Sequence, residues 1–130
     1  MSFAEPTFRV TESDVDEHTT IVAVSGEIHV STAPEFSGLL TASIESGRTR
    51  LVLDLTDVTF IDSTGLSVLL NGLRRVTRRQ GALSVVCTNP TVLRLFEITR
   101  LDSTFDIHAD VEAALAQVQA PAGGSDAGMP

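Results

Sequence analysis

Lysine is missing from this chain of 130 residues, and cysteine occurs once, as Cys87. A lone thiol excludes an internal disulfide and any metal site built on several cysteines. It closes the apolar run Leu83–Cys87, where a free thiol is expected to be buried and inert. No apolar run approaches the ~18 residues of a membrane span. The start of the chain lacks a basic-then-apolar export signal, so a cytoplasmic protein is expected. Acidic residues number 17 against nine arginines, for a net charge of −8. Such a surface repels nucleic acid and anionic membrane, which are therefore not expected as partners.

Several catalytic devices are missing as well. A phosphate-cradling loop needs a lysine among its glycines, and the dinucleotide fingerprint needs glycines where this chain has Ser-Thr-Gly and Asn-Pro. His18, His29 and His108 stand singly, none beside a second strong ligand at metal-binding spacing. Ser63 lies between Asp62 and Thr64, not in the G-x-S-x-G elbow of a hydrolase. No motif pairs it with His29 or His108 as a base. No metal, cofactor or enzymatic activity is expected.

What the chain does have is a regular alternation of elements. At 42% hydrophobic and 20% charged residues, it reads as one ordinary globular domain. Phe8–Thr11 and Thr20–Ser25 are β-prone runs around the acidic turn Glu12–Glu17, which reads as a solvated hairpin loop, and Gly26 is expected to close the second strand. Thr32-Ala33-Pro34-Glu35 has the form of a capping box. Phe36, Leu39, Leu40 and Ile44 then recur at helical spacing until Gly47. Leu51–Leu55 reads as a buried central strand broken by Thr56-Asp57. A second helix carries Leu66, Leu69, Leu70, Leu73 and Val76 on one side, with Arg74, Arg75, Arg78 and Arg79 on a solvated outer side. Ala82–Cys87 is the next strand, and Asn89-Pro90 opens a third helix with Val92, Leu95 and Phe96 facing in. Phe105–Ile107 reads as a short last strand, and Asp110 caps a final helix through Val118. This order predicts an α/β domain over residues 1–119, with a mixed, mostly parallel sheet, an N-terminal β-hairpin and about four covering helices. The low-complexity stretch 120–130 is expected to be a disordered tail.

Leu51–Leu70 holds the most chemistry. A strand runs into Asp62-Ser63-Thr64-Gly65, and a helix opens directly behind. Free amides at a helix N-terminus favour negative charge. A serine there serves either as a cap, worth ~1 kcal/mol, or as a place to carry a phosphate without unfolding the domain. The residues alone leave both readings open.

The stretch Phe60-Ile61-Asp62-Ser63-Thr64-Gly65-Leu66 resembles the STAS domain, and more narrowly the bacterial anti-sigma factor antagonists. The likeness continues in Gly26-Glu27-Ile28 with the Thr32-Ala33-Pro34-Glu35 helix start. It extends through Val92–Ile98, then Leu101-Asp102 and Phe105, covering residues 8–118. The resemblance implies an antagonist that, unphosphorylated, binds an anti-sigma factor that is also its serine kinase, and so releases a sigma factor. Phosphorylation of the first hydroxyl after the aspartate, here Ser63, ends that binding, and a phosphatase restores it. Asp62, Thr64 and Gly65 would shape the site, with Thr64 as a neighbouring cap, and the loop of Glu27 and His29 would border it. The family pattern usually has an acidic residue where this chain has His29. The alternative is a STAS docking subunit of a transport or stress-sensing complex, without a phosphorylation switch.

Overall fold

The computed structural model describes residues 8–120. The elements are β1 (Arg9–Asp14), β2 (Thr19–Ile28), α1 (Ala33–Glu45), β3 (Arg50–Ile61), α2 (Ser63–Arg78), β4 (Ala82–Val86), α3 (Pro90–Ile98), β5 (Asp106–His108) and α4 (Val111–Gln119). A single 3-10 turn, Leu101–Ser103, precedes β5. The five strands lie side by side in chain order, β1 antiparallel to β2 and each later pair parallel. This is the α/β architecture that the sequence predicts, hairpin included. The expected tail 120–130 lies outside the described residues apart from Ala120.

β3 is central because both of its faces are apolar. Leu51, Leu53 and Leu55 point into the main core beneath Phe36, Leu40 and Ile44 of α1, with Leu66 and Leu69 of α2. Val92 and Phe96 bring α3 into the same core. Val52 points the other way and packs with Val86 against Ala114 and Val118 of α4. That alternation follows from the two-residue period of a strand.

Four local expectations are corrected. Gly26 does not close β2: it takes φ +96°, and the strand runs on to Ile28. Thr56-Asp57 does not break β3 either. The β2–β3 register instead shifts between Ala23↔Asp54 and Ser25↔Asp57, and again between Gly26↔Val58 and Glu27↔Phe60. Each shift is a bulge with one extra residue on β3. Thr56 accommodates the first, its amide and hydroxyl donating to Asp54 Oδ1 at 3.1 and 2.5 Å. The acidic run, thirdly, is not merely solvated. Glu12 accepts from the Ser43 hydroxyl of α1, and Asp14 takes Arg48 Nε and Nη2, each at 2.7 Å. Asp16 Oδ1 accepts the His18 and Thr19 amides, both at 2.9 Å. The Arg48 guanidinium holds the Asp14 carboxyl below its ordinary range, and the His18 amide does the same for Asp16.

The capping box is the fourth correction. Thr32 has helical backbone and caps nothing with its side chain. Its hydroxyl accepts from His29 N–H at 2.9 Å and donates to the Glu27 carbonyl at 2.8 Å, so it staples the loop before α1.

Candidate functional site

β3 ends at Ile61, and α2 starts at Ser63 with Asp62 as the only residue between them. Asp62 has extended backbone, and its Oδ1 accepts from Gly65 N–H at 2.9 Å. The cap of α2 is therefore Asp62, and neither Ser63 nor Thr64 fills that role. Both are exposed, and neither hydroxyl makes a hydrogen bond among the described residues. Ser63 is the first residue of the helix, where the amides have no intrahelical partner. Its carbonyl accepts from the Ser67 hydroxyl at 3.1 Å, which leaves the Ser63 side chain unencumbered.

Gly65 explains how tightly this start is held. A Cβ there would lie 2.7 Å from Ile61 Cγ1, 2.8 Å from Ile28 Cγ2 and 3.0 Å from the Ile28 carbonyl oxygen. The helix thus begins in direct contact with the ends of β2 and β3. Asp62 N–H also donates to the Ile28 carbonyl at 3.1 Å, joining the junction to the β2–α1 loop.

That bond brings together segments far apart in sequence. Glu27 and His29 lie on either side of Ile28, with His29 Nε2 3.5 Å from Glu27 Oε1. His29 Nδ1 accepts from Ser31 N–H at 3.2 Å, an arrangement with the ring proton on Nε2, facing the carboxylate. His29 is thus occupied within its own loop and makes no hydrogen bond to Ser63. His18 is at the opposite end of the sheet, bonding the Gly47 carbonyl through Nδ1 at 3.3 Å, and His108 ends β5. No group of three metal-ligating side chains occurs among the described residues.

Two apolar side chains on this rim escaped the sequence reading. Val30 is 68% exposed in the loop beyond His29, and Phe60, paired with Glu27 across the sheet, is 43% exposed. Phe60 opens the family-like stretch, but only the bulged register decides that it faces outward. Val30 lies between two such stretches and carried no signal of its own.

Elsewhere the expectations divide. Asn89 caps α3, its side chain accepting from Thr91 N–H at 2.9 Å. Its Nδ2 also donates to the Val58 carbonyl at 3.1 Å, securing α3 to the bulged part of β3. Cys87 is 3% exposed, and burial pushes its thiol upward in pKa, as suits an inert core residue. The arginine row is exposed as expected, and Arg79 in addition donates to the Ile44 carbonyl at 3.0 Å, tying the end of α2 to α1. Among the described residues no helix is long and apolar enough to cross a membrane.

Known proteins resemble this chain in sequence and in fold. The sequence profile of the STAS domain matches residues 10–114. The anti-sigma-B factor antagonist of Bacillus subtilis (strain 168) is 34% identical over 100 residues, covering 77% of this chain and 91% of that protein. The protein of the same name from Staphylococcus aureus (strain NCTC 8325 / PS 47) is 31% identical over 91 residues, 70% of this chain and 84% of that one. Among solved structures, an anti-sigma factor antagonist from Mycobacterium paratuberculosis superposes with a TM-score of 0.80 at 29% identity, over 89% of this chain and 97% of that one. With the Asp62–Gly65 junction at its centre and the profile running from β1 into α4, the chain belongs to the STAS domain family, among the anti-sigma factor antagonists.

Proposed function

We propose that this chain, when unphosphorylated, binds an anti-sigma factor that is also a serine kinase and thereby releases a sigma factor. Phosphorylation of Ser63 ends the binding, and a phosphatase restores it. The protein acts by occupying its partner and performs no catalysis of its own. One observation carries this reading: Asp62 supplies the cap, so the Ser63 hydroxyl is left exposed and unbonded at the positive end of α2. A phosphoserine adds about −1.5 to −2 charge units at pH 7. The helix dipole and free amides offset its repulsion from Asp62, so the domain stays folded. A partner packed over the rim of Val30 and Phe60 would meet a bulky dianion where it had met a hydroxyl. Within the Glu27 loop, a histidine in place of a second carboxylate leaves less negative charge facing an incoming phosphate. Thr64 and Gly65 shape the backbone on which the kinase would act.

The test is incubation with the cognate anti-sigma kinase and ATP, followed by mapping of the modified residue. Phosphate is expected on Ser63. Ser63→Ala is expected to stay folded and bind constitutively. Ser63→Glu should fold but bind about a hundredfold more weakly, since a carboxylate covered by the partner without a counter-charge costs several kcal/mol. An active kinase that leaves Ser63 unmodified would overturn the switch and favour docking without phosphorylation.

A further inference from the structure

The C-terminal half of α2 carries a second surface. Leu70 and Leu73 form one wall of a groove of about 570 Å3, Leu101 and Thr104 form the other, and Arg74 and Arg78 stand on the α2 side. The three leucines are anchored in the main core yet only half-buried. Arg74 and Arg78 are exposed and form no ion pair among the described residues. Arg48, Arg50 and Arg79 are engaged, on Asp14, the Val118 carbonyl and the Ile44 carbonyl. Arg9, Arg75, Arg94 and Arg100 are unpaired like Arg74 and Arg78 among the described residues, but do not border this groove. A chain of net charge −8 has carboxylates to spare, yet offers none to these two cations. The dipole at the helix end accounts for Arg78. It does not account for Arg74 one turn earlier, nor for an apolar wall beside them both.

We propose that this groove seats an acidic amphipathic helix of a protein partner. Aliphatic side chains of that helix fill the space between Leu70, Leu73 and Leu101. Two carboxylates one turn apart meet Arg74 and Arg78, which lie about 6 Å apart along the α2 axis. Arginine suits this role because its planar fork donates two parallel N–H bonds to a carboxylate. A helix laid into an apolar groove is a common recognition mode. A second copy of this chain is a poorer occupant, because Glu12, Asp14 and Asp16 of its acidic hairpin are already bonded. The segment 121–130 is poorer still, with a single acidic side chain, Asp126, for two arginines. The surface is separate from the Ser63 junction, so the two readings stand or fall independently.

The test is a titration of the full chain, followed by amide NMR, with a synthetic helical peptide bearing leucines at i, i+3 and i+7 and glutamates between. The same peptide with lysine for glutamate is run in parallel. Shifts are expected around Leu70, Leu73, Leu101 and Thr104, with affinity falling as salt rises. Arg74→Glu with Arg78→Glu should retain the melting curve and weaken binding by about tenfold or more, whereas Ser63→Glu should bind the peptide as wild type does. Equal binding of the lysine peptide, an unaffected charge-reversed variant, or shifts confined to other surfaces would overturn the proposal. So would a dimer in sedimentation that the charge reversal dissociates, which assigns the groove to a second copy. Groove shifts on removal of 121–130 would assign it to the tail, again against the proposal.

Discussion

α2 and α4 begin alike and differ in the three residues after the cap. Asp62 and Asp110 both take extended backbone and accept from the amide three residues on, at 2.9 and 2.8 Å. After Asp110 come Val111, Glu112 and Ala113; after Asp62 come Ser63, Thr64 and Gly65. α4 places an acid in its first turn, as the helix dipole favours, and an exposed methyl at the third position. α2 has two hydroxyls that no cap requires, and a glycine where a methyl would collide with Ile28 and Ile61. The hydroxyl pair is therefore surplus to helix formation, while the glycine answers to packing. A cap motif alone does not distinguish the two helices; their surroundings do.

The sharpest way to break this contrast is at the third helical position. Gly65→Ala is expected to cost about 1–3 kcal/mol by overpacking, whereas Ala113→Gly in α4 should cost less than about 1 kcal/mol. Urea denaturation of both variants checks the pair, and a neutral Gly65→Ala would mean that α2 does not start in close contact. Next in size are the caps themselves. Asp62→Ala and Asp110→Ala should each lower stability by ~1 kcal/mol, visible as matched shifts in thermal midpoint. If Asp62→Ala were silent, Ser63 or Thr64 would have to be supplying the cap. Ser63→Ala should change stability by less than about 0.5 kcal/mol, as expected for a surface side chain without partners. A larger loss in the same melts would restore a structural role to that hydroxyl.

The smallest effect lies away from both caps and gives the baseline for reading them. Arg48 lowers the folded-state pKa of Asp14 below its ordinary 3.8. The pair's contribution is thus present above the unfolded pKa and is lost as pH falls through the depressed folded value. Asp14→Asn should lower the melting midpoint slightly in the neutral region and converge on wild type well below about pH 4, so that the acid limb is flatter. An acid limb identical to wild type would remove Asp14 as its source.

Much of the fold could be read from local pattern. Alternating strands and helices, the Asn89 and Asp110 caps and the two-sided burial of Leu51–Leu55 all follow from short-range chemistry. The misses share one cause, which is that the deciding partner is distant in sequence. Gly26 looks like a strand end until β3 pairs past it with a shifted register. Thr32 looks like a cap until its hydroxyl meets Glu27 and His29. Arg79, exposed as expected, looks unbonded until α1 presents the Ile44 carbonyl. At the junction itself the motif was legible, but which of four adjacent residues takes the cap depends on backbone angles that the sequence does not print.

The two bulges set a constraint on how this chain can vary in length. Between their matched ends, Thr19↔Arg50 and Ile28↔Ile61, β2 has 10 residues and β3 has 12. At each bulge two consecutive residues face outward, Thr56 with Asp57 and Thr59 with Phe60, so deleting one of a pair would flatten that bulge and keep Ile61 inward. Deleting one from each pair would flatten both bulges and keep the phase. Side chains along this stretch are free to drift wherever they are exposed, but a single gap is tolerated only at a bulge, since one placed elsewhere turns the residues beyond it to the other face. Where a gap falls between Leu55 and the serine is thus a test of whether a related chain can hold its hydroxyl in the same place.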